Sequence, residues 1–162
     1  MKRLFTVVTC AVLFILSACT TYSGLRPIYP DVGHPHYHVI QVQDLQPVLK
    51  WKASSNPNAM YDLIVYEGPE WSSDFMPLPW QSDMKMNEVY FRKTLKNSEH
   101  KIEEPLKPGL IYFWSVRAIE NENIGEWSKY CYRLFTVFAY YSEADQLFRF
   151  RTPREQVADQ IK

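Results

Sequence analysis

From His38 onward the chain alternates apolar and polar residues with a period of two, the signature of half-buried strands. Val39-Ile40-Gln41-Val42 predicts a first strand. Pro47 to Lys52 predicts a second, with Leu49 and Trp51 on one face and Lys50 and Lys52 on the other. Ser54 to Asn58 is a cluster of turn residues. Tyr61 to Glu67 reads as a third strand with Tyr61, Leu63 and Val65 inward, Glu88 to Leu95 as a fourth, and His100 to Ile102 as a fifth. The strongest pattern is Ile111 to Glu120. It places Tyr112, Trp114, Val116 and Ala118 on one face and Ser115 and Arg117 on the other. Short strands, turns rich in Pro, Asn and Gly, and almost no helical periodicity predict an all-β, antiparallel sandwich.

Two stretches interrupt this pattern. Residues 68–87 form a long insertion carrying Trp71, Phe75, Met76, Trp80, Met84 and Met86. After Trp127-Ser128 two segments compete to be the closing strand. Residues 129–141 (KYCYRLFTVFAYY) are apolar on both faces, whereas 146–152 (QLFRFRT) alternate, with Phe148 and Phe150 inward and Arg149 and Arg151 outward. The alternation favours 147–152 as the closing strand. Residues 129–145 then form a second insertion that extends the sheet or packs on one end. Thr152-Pro153-Arg154-Glu155 has the form of a capping box with Pro at the first helical position, predicting a short C-terminal helix over 153–161 within a tail of residues 153–162.

The N-terminal region has a different character. Lys2 and Arg3 precede an apolar run from Leu4 to Leu16, too short to span a bilayer and laid out like a secretory signal. It ends Leu16-Ser17-Ala18-Cys19, which resembles the lipobox of bacterial lipoproteins. That resemblance implies removal of residues 1–18 and acylation of Cys19, both on the thiol and on the new N-terminus. At about 0.8 kcal/mol per buried methylene, such chains hold a protein on a membrane without spanning it. Thr20, where retained inner-membrane members of that family commonly carry Asp, implies sorting to the outer membrane, on its periplasmic or surface face. Pro27, Pro30 and Pro35 lie in residues 19–37, which read as a tether reaching up to ~60 Å if extended. His34 and His36 in that stretch and His38 just after it have no cysteine and few carboxylates beside them, so no metal site is expected. With Cys10 removed and Cys19 acylated, Cys131 is left without an internal disulfide partner.

The strand region resembles a fibronectin type III domain over about residues 38–152. The resemblance rests on Leu49-Lys50-Trp51, on Tyr61 opening the third strand, on Leu106-Lys107-Pro108-Gly109 followed by Tyr112-Phe113-Trp114-Ser115-Val116-Arg117-Ala118, and on Gly125-Glu126-Trp127-Ser128. It implies that Tyr112 is a tyrosine corner, its ring in the core and its hydroxyl bonded to backbone near Leu106. It also implies that Trp51 fills the space between sheets, with Tyr61, Trp114 and Trp127 as further structural residues.

Composition narrows the function. The chain has 162 residues, 15% of them aromatic, and a formal net charge of zero. Loss of Lys2 and Arg3 with the signal leaves 16 basic and 18 acidic residues, and no basic face for nucleic acid. There is no G-x-S-x-G, phosphate loop, H-E-x-x-H or paired C-x-x-C. The carboxylates Glu103, Glu104 and Glu120 read as solvated strand ends rather than a hydrolytic pair. The expectation is a non-enzymatic, cofactor-free lipoprotein at the outer membrane. It acts as a protein-binding or assembly module for an envelope partner, with Trp71, Phe75 and Trp80 as the contact surface. The alternative is glycan or peptidoglycan binding, with Trp71 and Trp80 stacking on sugar rings.

Overall fold

A computed structural model of the chain describes residues 17–30, 39–68, 86–121, 123–135, 140–142 and 147–154. Twelve strands are present among them and no helix. They are β1 (Ser17–Ser23), β2 (Pro27–Tyr29), β3 (Ile40–Gln41), β4 (Val48–Trp51), β5 (Met60–Glu67), β6 (Asn87–Leu95), β7 (Glu99–Lys101), β8 (Ile111–Glu120), β9 (Asn123–Ile124), β10 (Lys129–Phe135), β11 (Tyr140–Ser142) and β12 (Phe148–Arg151). Each strand expected from the alternation is present at or within a few residues of its expected bounds. The proposed terminal helix falls mostly outside the described residues.

The strands form three sheets. The largest runs β3-β12-β8-β5-β6, with β9 beside the far end of β8; a second runs β2-β4-β7 and a third β1-β10-β11. All pairings are antiparallel except β3 with β12. One core joins the first two sheets. Leu49 and Trp51 of β4 meet Tyr61, Leu63 and Val65 of β5, Tyr112, Trp114 and Val116 of β8, and Phe148 and Phe150 of β12. These are the residues that the alternation assigned to the inward faces. Trp51 meets Tyr61 edge-on at 5.4 Å, Trp114 meets Phe148 edge-on at 5.2 Å, and Tyr112 stacks on Phe150 at 5.7 Å. Edge-on and offset ring pairs add to the burial of these large side chains.

β8 is buried on its other face as well, since every residue from Ile111 to Val116 is buried. There Asp62, only 2% exposed, accepts two bonds from Arg117, at 3.1 Å from Nε and 2.9 Å from Nη2, and one from the Thr94 N–H at 3.2 Å. The Arg117 guanidinium lies 4.5 Å from the Trp127 ring centroid, and Phe91 packs on the same ring. A buried carboxylate needs both a counter-charge and hydrogen bonds to offset its desolvation, and Asp62 has both.

The Tyr112 hydroxyl accepts a 2.9 Å bond from the Lys107 N–H, one residue from where it was expected. Burial pushes its pKa up to about 12, so it stays a neutral phenol. Gly109, with φ of 74°, makes the intervening turn, and its N–H bonds to the Pro153 carbonyl.

The edge of β8 is lined by two separate pieces of chain. Ile124 pairs with Ile119, the Gly125 N–H bonds to Ala118 at 2.8 Å, and the Ser128 N–H bonds to Val116 at 2.9 Å. The next partner along the edge is Phe148, opposite Trp114. Two residues of β8 thus separate partners twenty residues apart in the chain. Lys129–Phe135 and Tyr140–Ser142, which lie between these two pieces in sequence, pair instead in the β1-β10-β11 sheet. The alternating segment pairs with β8 through Phe148–Arg151, and Phe148 and Phe150 lie in the core.

One expectation is overturned. Residues 19–37 do not form a free tether along their whole length. β1 runs alongside β10 from Ser17↔Phe135 to Ser23↔Lys129, and β2 pairs with β4. Tyr22 and Leu25 pack against the core, and Pro27 is buried. Pro is tolerated here because β2 lies at a sheet edge, where a missing N–H breaks no ladder. β1 also starts two residues ahead of the expected cleavage point.

Candidate functional site

Among the described residues, three places bring candidate chemistry together. The first is the β1-β10-β11 sheet. Cys19 is the register partner of Arg133, and Thr21 is that of Cys131. β11 extends the sheet through Arg133↔Ser142, Leu134↔Tyr141 and Phe135↔Tyr140. The sheet is secured to the core where β1 turns into β2. The Leu25 N–H donates to Ser128 Oγ at 2.6 Å, the Ser128 N–H is bonded to Val116, and Ser115 Oγ donates to the Ser128 carbonyl at 2.7 Å. Gly24 makes this junction, with φ of 75°. A Cβ there would lie 2.7 Å from Ser128 Oγ and 3.0 Å from its Cα. Arg26 lies over the Tyr22 ring, and the Lys52 N–H donates to the Arg26 carbonyl at 2.7 Å.

The second place is the edge where β6 meets β7. The Tyr90 hydroxyl lies 2.6 Å from His100 Nε2. Arg92 lies 4.3 Å from the Tyr90 ring centroid and pairs with Glu103. Burial lowers the His100 pKa from its ordinary 6.5, more than the nearby Glu103 carboxylate raises it. The imidazole is therefore neutral at neutral pH, and its tautomer sets which partner donates in the Tyr90–His100 bond. Arg92 holds the Glu103 carboxyl below its usual range, and burial raises the Tyr90 phenol.

The third place is an open, polar cavity of about 400 Å³ between the turn after β4 and the β6–β7 turn, lined by Ser54, Asn56, Tyr61, Lys96, Asn97 and Glu99 among others. The Tyr61 hydroxyl accepts from the Ser54 N–H at 3.0 Å, and the Ser54 hydroxyl bonds to Glu120.

These placements sort the expected site residues. Glu103 and Glu120 are held by different partners, Arg92 on β6 and Ser54 after β4. Trp51, Tyr61, Tyr112 and Trp114 are all buried, and Trp127 is half-buried under Arg117. Trp71, Phe75 and Trp80 lie outside the described residues, as do His34, His36 and His38. Among the described residues no group of three His, Cys, Asp or Glu side chains is placed to hold a metal. No helix among them is long and apolar enough to cross a membrane. The residues that sequence reading missed are those of the β1–β2 junction. Gly24, two residues after Tyr22, was the available signal for a turn at the end of a strand. The chain matches no protein-family model, no curated protein and no solved structure.

Proposed function

We propose that this protein is a lipoprotein acylated at Cys19, carrying one fibronectin type III-like sandwich and serving as a non-enzymatic protein-binding or assembly module at the outer membrane. The observation that carries the membrane reading is the Leu16-Ser17-Ala18-Cys19 sequence directly after the apolar run. The sandwich reading draws on the two strand orders, β2-β4-β7 and β12-β8-β5-β6, which share one core. It also draws on the Tyr112 corner and on Trp51 buried against Tyr61. In such a sandwich β4 and β7 belong to one layer, and β5, β8 and β12 to the other.

Metabolic labelling with an alkyne palmitate tests the anchor. The native protein takes up label and stays with the membrane fraction. Cys19→Ser loses the label and leaves that fraction. Label retained in Cys19→Ser, or absent from the native protein, rejects the lipoprotein reading. In-cell cross-linking of the lipidated protein beside a Trp71→Ala, Trp80→Ala variant of matched stability tests the contact surface. An envelope protein captured by the native form and lost in the variant is the expected result. An identical captured set in both forms removes those tryptophans from the interface.

A further inference from the structure

β1 places Cys19 inside a ladder rather than at the end of a loose chain. Its register partner is Arg133, and the ladder continues past it to Leu134 and Phe135. Cleavage before Cys19 would remove Ser17 and Ala18, the register partners of Phe135 and Leu134. The mature ladder would then stop at Cys19↔Arg133. Leu134 and Phe135, with their β11 partners Tyr141 and Tyr140, would project beyond the acylated residue on the side from which β1 was trimmed.

We infer that this end of the β1-β10-β11 sheet is a second membrane contact, seated in the headgroup layer beside the acyl chains and fixing the domain's orientation on the bilayer. The inference rests on acylation of Cys19. Acylation places Cys19 at the bilayer interface, and the ladder carries Phe135 two residues further, or ~7 Å at the strand rise. Interfacial elements sit about 5–10 Å into the headgroup boundary, so the projection matches the depth of that layer.

Composition agrees with this. The end of the sheet proposed to meet the lipid holds Arg133, Leu134, Phe135, Tyr140 and Tyr141, and no acidic residue stands among them. Aromatic residues concentrate at headgroup depth, and basic residues near the surface are drawn to anionic lipid. The occupant is therefore the lipid surface. The Leu25–Ser128 and Ser128–Val116 hydrogen bonds would transmit that orientation to the core.

The experiment uses the intact, processed protein in nanodiscs of phosphatidylethanolamine and phosphatidylglycerol, some of the lipid carrying gadolinium on the headgroup. Backbone amide signals are read along β1 and β10. Mass spectrometry of the N-terminal fragment is run on the same sample. The expected result is an acylated Cys19 and broadening that rises along β10 from Lys129 to Phe135. The amides of Leu134, Phe135, Tyr140 and Tyr141 lose at least as much intensity as that of Thr20. An acylated fragment with flat broadening along β10, or with sharp signals at 134–135 and 140–141, overturns the inference and leaves the lipoprotein reading standing. A fragment without acyl groups overturns both.

Discussion

The sheet built on β5 and β8 and the sheet built on β10 meet at Ser128, yet they are assembled differently. β5 and β8 lie about fifty residues apart in sequence, are buried along most of their length, and carry the core on one face and the Asp62–Arg117 pair on the other. β10 draws its partner from the opposite end of the chain, Ser23 against Lys129, and is attached to the core sheet through Ser128 and the Gly24 junction. The first sheet is specified by what its side chains bury. The second is joined strand to strand by the β1–β10 and β10–β11 ladders. Burial imposes alternation on a sequence, and a free edge imposes almost none.

That contrast explains what could be read in advance. Leu49, Trp51, Tyr61, Leu63, Val65, Tyr112, Trp114 and Val116 face a dry core, so each strand announced both its extent and its inward face. Tyr112 was legible because a corner needs a Pro-Gly turn a few residues upstream, and Pro108-Gly109 supplies it. Residues 147–152 stand out as a strand because Phe148 and Phe150 alternate with arginines. β1 and β2 were not legible as strands. Their partners lie up to 118 residues away in the chain, and Pro27 and Pro30 argue against a strand unless its edge position is known. The Asp62–Arg117 pair was not legible, because nothing local in either strand indicates that these two residues will lie across from each other.

The largest effect that would test the contrast is in the core. Trp114→Ala is expected to cost about 3–5 kcal/mol, read from denaturant unfolding, because it empties the space against Phe148. A loss below about 1 kcal/mol would mean that the core is not where the stability lies.

Next is the junction. Gly24→Ala forces a left-handed backbone on a residue with a Cβ and drives that Cβ into Ser128, a cost of about 1–3 kcal/mol. The same variant should lose hydrogen-exchange protection along β1 before β5. Equal loss in both strands would show that the two sheets open as one unit. Tyr112→Phe leaves the half-buried Lys107 N–H without its acceptor and should cost about 1–2 kcal/mol.

A smaller effect concerns His100. Its pKa is lowered in the folded state, so its contribution to stability is fully present above pH 6.5. That contribution is lost as the pH falls from 6.5 towards the lower folded-state value. Unfolding midpoints at pH 7.5 and pH 5 should therefore differ more for the native protein than for His100→Asn. Identical differences would remove His100 as a source.

The smallest core effect is expected from the largest change to the sequence. Deleting residues 129–146 joins Ser128 to Leu147 and leaves the edge of β8 covered. Amides of β5 and β8 should keep their slow exchange while those of β1 lose theirs. Fast exchange in β8 would show that the excursion supports the core.

The separation of β1 from β10 also sets an order of events. For a chain delivered N-terminus first, residues 17–23 emerge more than a hundred residues before Lys129–Phe135. Until then they have nothing to pair with. The central sheet waits in the same way, since Phe148–Arg151 supplies the piece of its edge beside Ile111–Trp114. Contacts this distant in sequence close slowly, and the unpaired strands are exposed to association while they wait. A companion that binds extended chain during delivery would therefore act on the first residues out and release them last.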